Sequence, residues 1–68
     1  MTRYRITAKK IPARSKEAVG CLIESYSKGR WWFEASRDFW FGETLEKNKK
    51  RLVDWAKEIA PNTKVNWR

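Results

Sequence analysis

The sequence contains no histidine and only one cysteine, Cys21, among its 68 residues. A single cysteine cannot form a disulfide within the chain, and a structural zinc site would lack its usual imidazole and thiolate ligands. We therefore expect no metal and no cofactor. A lone cysteine in an apolar stretch is usually a small core residue, and we predict that role for Cys21.

Long apolar runs are also missing, since the longest have three residues, as at residues 31–33 and 39–41. A membrane-spanning helix needs about 20 such residues, so we expect no membrane span. Nothing in the chain resembles a secretory leader, and the single cysteine fits a reducing compartment. These features predict a cytoplasmic protein.

The motifs that mark common enzyme classes are absent. Histidine, the commonest general base near neutral pH, is missing, and there is no glycine-rich phosphate loop or nucleophile elbow. Glu34 and Asp38 are close enough in sequence to suggest an acid pair, but balancing the charges of Arg30 and Arg37 is the simpler interpretation. We predict no catalytic residues and a chain that is not an enzyme.

Positive charge and aromatic rings are abundant. Sixteen Lys and Arg against eight Asp and Glu give a net charge of +8 and an isoelectric point near 10.1. Such a balance favours a polyanionic partner: nucleic acid (DNA or RNA) first, and an acidic protein surface second. The charge balance is +5 over residues 1–29, zero over the aromatic residues 30–42 and +3 over residues 43–68.

The length predicts one domain spanning residues 1–68. A chain of this size buries only about 60% of its surface on folding, so its core is thin. Five Trp, three Phe and two Tyr could supply buried area, at roughly 150–250 Å² each. We expect some of these rings in the core and at least one on a binding surface. A homodimer formed through an exposed edge strand is a further expectation.

Three segments have a clear periodicity. Residues 3–10 alternate, so that Tyr4, Ile6 and Ala8 would face the core of a strand. Residues 43–60 form an apolar stripe at 3.6-residue spacing, which predicts an amphipathic helix ended by Pro61. Residues 63–67 alternate again, as a closing strand would.

Residues 16–28 are ambiguous. Val19, Leu22, Ile23 and Tyr26 have helical spacing, which favours a helix, although Gly20 would weaken its interior. The alternative is a strand that forms a hairpin with residues 30–36 around Lys28-Gly29.

The aromatic centre predicts two strands, residues 31–36 and 39–42, joined by a turn near Arg37-Asp38. Strict alternation places four rings on the inner face and two on the outer face. The inner set is Trp31, Phe33, Phe39 and Phe41, and the outer set is Trp32 and Trp40.

These elements predict an α+β domain, in which an antiparallel sheet carries its helices on one face. The favoured order is β-α-β-β-α-β, the ferredoxin-like arrangement. If residues 16–28 are a strand, the order becomes a three-stranded meander, a helix and a last strand. In both cases one face of the sheet is open.

The favoured order is similar to that of RNA-recognition-motif domains, which stack bases on aromatic residues of their sheet. Gly29-Arg30-Trp31-Trp32-Phe33 does not fit their motif, so the resemblance assigns no residue roles. Residues 30–68, with a helix that begins near Gly42-Glu43-Thr44-Leu45-Glu46, also look like small phage proteins that inhibit host machinery.

An open face that carries both cations and rings is typical of proteins that bind single-stranded nucleic acid. We therefore predict a nucleic-acid-binding domain, the alternative being a module that docks on a host nucleic-acid-processing protein. The predicted binding residues are Arg3, Arg5, Lys9, Trp32, Trp40 and Arg68.

Overall fold

The computed structural model describes residues 2–11, 18–40 and 45–68, and within the last range it describes side chains from residue 48 onward. The elements form one mixed four-stranded sheet, in the order β3-β2-β1-β4, and one helix. Their bounds are β1 Arg3–Lys10, β2 Ala18–Ser27, β3 Arg30–Trp40, α1 Leu45–Ile59 and β4 Val65–Trp67. The α+β class is confirmed.

Segment 16–28, as far as the structure describes it, is a strand, so the prediction of a helix there is wrong. Val19, Cys21 and Ile23 alternate with more exposed residues and are buried on one side of the sheet. Strand β2 pairs with β1 on one edge and with β3 on the other, both antiparallel. These two ladders satisfy the backbone of β2 on both edges, whereas a helix over this segment would carry Gly20 in its interior at a cost of about 0.5–1 kcal/mol.

The ferredoxin-like order is therefore not the order of this sheet, and the similarity in order to RNA-recognition-motif domains does not hold. The observed elements follow the alternative: a three-stranded meander, a helix and a last strand. The sheet is also mixed rather than antiparallel, because β4 pairs with β1 in the parallel direction, with Ile6 opposite Val65.

The β2–β3 hairpin turns at two residues in the left-handed region of backbone space. Lys28 has φ 52° and Gly29 has φ 80°. Positive φ at both central residues is the pattern of a type I′ turn, whose twist matches that of the flanking strands. Glycine adopts this conformation without steric cost, whereas Lys28 is strained there.

Strand β3 is continuous, so the predicted turn near Arg37-Asp38 is wrong; Phe41 and Gly42 lie outside the described residues. Its register with β2 shifts by one residue, since Ile23 pairs with Ala35 but Glu24 pairs with Phe33. Glu34 is the extra residue of this β-bulge. Because a bulge breaks the two-residue alternation, side chains before and after it change faces.

Helix α1 connects the two edge strands, β3 and β4, and therefore has to cross one face of the sheet. The predicted helix over residues 43–60 is confirmed for Leu45–Ile59. The Trp55 ring of α1 packs edge to face with the Phe39 ring of β3, and their centroids are 5.8 Å apart. The buried core between helix and sheet consists of Ile6, Ala8, Val19, Cys21, Ile23, Leu52, Ala56 and Ala60.

Helix α1 ends before Pro61, and Asn62 with φ 68° turns the chain toward β4. The helix has 15 residues and a polar outer face. No helix in the described ranges has the length and apolar character needed to cross a bilayer.

The strain at Lys28 leads to a stability prediction. Replacing Lys28 with Asn, which tolerates the left-handed region, should raise the free energy of unfolding by about 0.5–1 kcal/mol. Lys28→Gln removes the same charge without that backbone preference and is the matched control. Urea unfolding of the three proteins measures the difference; equal stability of the Asn and Gln variants would contradict the assigned turn.

Burial of Cys21 leads to a reactivity prediction. The residue is 1% exposed, and desolvation raises the pKa of its thiol to about 11. At pH 8 the thiol is therefore protonated and shielded, so a colorimetric disulfide reagent should react slowly with the folded chain and rapidly in denaturant. Rapid reaction under native conditions would show that Cys21 is not in the core.

Candidate functional site

The sheet face opposite α1, here called the open face, carries most of the exposed rings and several cations. Strand pairing determines which residues share it, because partners in adjacent strands point the same way. The one helix among the described residues packs on the other face. The strand pairing assigns to the open face Arg3, Arg5, Thr7, Lys9, Gly20, Leu22, Glu24, Tyr26, Trp31, Phe33, Ser36, Asp38, Trp40 and Asn66, among others.

The structure brings five of the predicted binding residues to this side. Arg3, Arg5 and Lys9 are exposed along β1, as their alternation predicted. Trp40 lies at the far end of β3 with 63% of its surface exposed. Arg68 follows β4 and lines the same shallow groove as Arg5.

Trp32 lies on the opposite face, so the prediction that it faces outward with Trp40 is wrong. The bulge at Glu34 reverses the alternation, and Trp32 pairs with Ser25, a buried residue of the helix side. The Trp32 indole nitrogen donates a hydrogen bond to the Ser27 carbonyl at 2.8 Å. The Arg30 guanidinium lies 3.6 Å from the ring centroid. These contacts brace the hairpin end.

Trp31 and Phe33 take the opposite position and lie on the open face, although strict alternation predicted them inside. Trp31 belongs to a stacked cluster with Arg3, Tyr26 and Arg5. Arg3 lies 5.6 Å from the Tyr26 centroid, Tyr26 meets Trp31 edge to face at 5.2 Å, and Arg5 lies 4.3 Å from the Trp31 centroid. Phe33 stands beside this cluster and is 67% exposed.

Arg5 is held by a second contact. Its Nε donates to Oε1 of Glu24, the residue directly across from it on β2, at 2.6 Å. This hydrogen bond raises the pKa of Arg5 and lowers that of Glu24, because each charge stabilises the other. Among the described residues Arg3 has only its contact with Tyr26. Arg5 is therefore held by two contacts, whereas Arg3 on the same strand is held by one.

Two shallow grooves flank β1 on the open face. One, of about 370 Å³, lies between β1 and β4 and is lined by Arg5, Asn66 and Arg68, among others. The second, of about 300 Å³, is lined by Thr7 and Leu22, among others. Cations border both grooves, Arg5 and Arg68 the first and Lys9 and Lys10 the second, and the lining of the second groove is the more apolar.

Four residues of the open face were not among the predicted binding residues: Glu24, Tyr26, Trp31 and Phe33. Glu24 and Tyr26 were hidden because their segment fits a helical stripe. The outward positions of Trp31 and Phe33 were not predicted because no residue type within residues 31–36 indicates a bulge. The described residues contain no group of His, Cys, Asp and Glu that could hold a metal ion.

No protein-family model, curated protein or solved structure matches the chain.

The Arg5–Glu24 pair leads to a pH prediction. Since the pKa of Glu24 is lowered in the folded state, the pair stabilises the fold at neutral pH. That contribution is lost as the pH falls through the lowered pKa. Arg5→Gln should therefore be less stable than wild type at pH 7, and the difference should shrink in acid.

Arg3→Gln is the matched control, since it removes an arginine from the same strand and face without touching Glu24. Thermal unfolding of the three proteins between neutral and acidic pH measures both differences. A stability deficit of Arg5→Gln that stays constant across the acid range would contradict a working ion pair.

Proposed function

We propose that the chain binds single-stranded nucleic acid along the open face. The observation that carries the proposal is the mixture of exposed rings and cations on one side of the sheet. Phe33 and Trp40 are 67% and 63% exposed, although burial of large rings is normally favourable. A surface of stacking rings with adjacent cations is how proteins bind unpaired bases and their phosphates.

The rings have different roles in this proposal. Arg5 lies over Trp31 and the edge of Tyr26 packs against it, so Trp31 serves mainly to support the cluster. Phe33 is the more exposed ring and is available to stack on a base. Trp40 offers a second stacking position near the other end of β3.

The cations would contact the phosphates. Arg3 and Lys9 lie toward opposite ends of β1, and Arg68 borders the groove beside β4. Contacts of these three residues with three phosphates would give a salt dependence of log K on log salt with a slope of about −2 for a single strand. The net charge of +8 adds long-range attraction for any polyanion.

Docking on an acidic protein surface is the second candidate. Two carboxylates, Glu24 and Asp38, lie on the open face, and they would weaken its attraction for phosphates. Exposed Trp and Arg residues are also common energetic centres of protein interfaces. Absence of nucleic-acid binding in the experiment below would favour this candidate.

The proposal predicts salt-dependent binding of single strands. Anisotropy titrations of labelled single- and double-stranded oligonucleotides at about 50 and 200 mM salt should show tighter binding of single strands and a slope near −2. Arg3→Ala should reduce the magnitude of the slope by about 0.7, the value for one phosphate contact. Failure to bind any oligonucleotide at the lower salt would reject the proposal.

Adjacent residues on opposite faces provide a second prediction. Phe33→Ala should weaken binding by about 1–3 kcal/mol through loss of one stacked base. Trp32→Ala, which removes a larger ring from the helix side, should leave the affinity close to wild type. Melting temperatures verify that both variants are folded. A larger loss of affinity for Trp32→Ala than for Phe33→Ala would indicate that the binding surface is the helix side of the sheet and not the open face.

A further inference from the structure

We infer that the open face selects an unpaired guanine, with Arg5 hydrogen-bonding the base edge and Phe33 stacking on its plane. This inference rests on the proposed function and specifies which base it prefers. Arg5, Glu24 and Phe33 form one row across β1, β2 and β3, since Arg5 pairs with Glu24 and Glu24 pairs with Phe33.

Two contacts restrain the Arg5 side chain on the open face. Its guanidinium is bonded to Glu24 through Nε at 2.6 Å and lies over Trp31 at 4.3 Å. Its side chain nevertheless keeps 48% of its surface exposed. A cation that only neutralises phosphates needs no such restraint, because a mobile side chain can follow the backbone. Reading a base edge requires donors in a defined place.

The Arg5 guanidinium keeps hydrogen-bond donors that Glu24 does not occupy. The bond to Glu24 uses Nε, which leaves the N–H groups of the two terminal nitrogens as donors. Arginine commonly binds guanine through its O6 and N7 acceptors in a bidentate manner. Adenine presents an amino group where guanine has O6, so that two donors would face each other. The fixed arginine therefore favours guanine over adenine.

Glu24 orients Arg5 in this arrangement. A carboxylate at the centre of a basic face weakens attraction to phosphate, but here it holds Arg5 in place. Its side chain is 18% exposed, so it lies mostly covered within the row. Glu24 is thus a positioning residue, and Phe33 supplies the adjacent free ring on which the selected base stacks.

The experiment compares single-stranded oligonucleotides that differ at one position in an otherwise thymine strand. The position carries guanine, 7-deazaguanine, which lacks the N7 acceptor, or adenine. Wild type should bind the guanine strand roughly tenfold more tightly than the adenine strand, within the usual range for one bidentate pair. The 7-deazaguanine strand should lie between them.

Two variants test the residues. Arg5→Lys keeps the charge but loses the fork, so the guanine-to-adenine affinity ratio should fall toward one while the salt slope stays unchanged. Glu24→Gln should lower the same ratio while tightening binding to all strands, since one negative charge is removed. Arg3→Lys is the matched control and should keep the wild-type ratio.

The outcomes separate the two claims. Salt-dependent binding of all strands with equal affinity, or a full guanine preference in Arg5→Lys, would overturn the guanine assignment and leave the proposed function in place. If no strand binds, the proposed function itself fails. Loss of the guanine-to-adenine ratio in Arg3→Lys as well as in Arg5→Lys would show that the preference does not depend on the fixed position of Arg5, and would also overturn the guanine assignment.

Discussion

The extra residue in β3 determines what each face of the sheet can do. Before the bulge, Trp31 and Phe33 point to the open face; after it, Ala35 and Phe39 point to the helix side. The bulge is fastened by a hydrogen bond of 2.5 Å from the Ser25 hydroxyl to a carboxylate oxygen of Glu34. Ser25 is only 6% exposed, and a buried hydroxyl without a partner would cost about 1–3 kcal/mol. Satisfying it favours the register in which two large rings face outward.

This arrangement explains why a chain rich in aromatic residues has an aliphatic core. The largest fully buried side chains are Ile6, Ile23, Leu52 and Cys21, and the rest of the core is mostly alanine. Small residues such as Ala8 and Ala56 are buried between α1 and the sheet. Phe39 and Trp55 fill the margin of this interface, while other rings remain exposed. Aromatic content alone therefore overstated what the core would need.

The predictable parts of the fold were those with a single periodicity. β1, α1 and β4 show one pattern each, and the structure places them within two or three residues of the expected bounds, as far as it describes them. Segment 18–27 fits both periods because its apolar residues include the adjacent pair Leu22 and Ile23. Whether this segment forms a strand depends on its pairing with β1 and β3, which the periodicity of the segment alone does not show. The bulge depends on how β2 and β3 pair, and the residues of β3 taken alone do not show which of them is the extra one. Arg3, Arg5 and Lys9 were therefore placed correctly, and Trp32 was not.

The carboxylate in the centre of the open face is the feature that a purely electrostatic account leaves unexplained. A protein of charge +8 that needed only to attract phosphates would gain by replacing Glu24 with a neutral residue. The pair with Arg5 instead neutralises one cation in the middle of the face, and freer cations such as Arg3 lie toward its borders. In the proposed interface, attraction and orientation are therefore carried by different arginines on the same strand. Since restraint lowers the entropy lost when a contact forms, the fixed arginine is suited to selectivity and the free one to affinity. Arg3 and Arg5 lie on the same strand and the same face, so the sequence alone does not distinguish them. The residue opposite each in β2 does: a tyrosine ring lies opposite Arg3 and a carboxylate lies opposite Arg5.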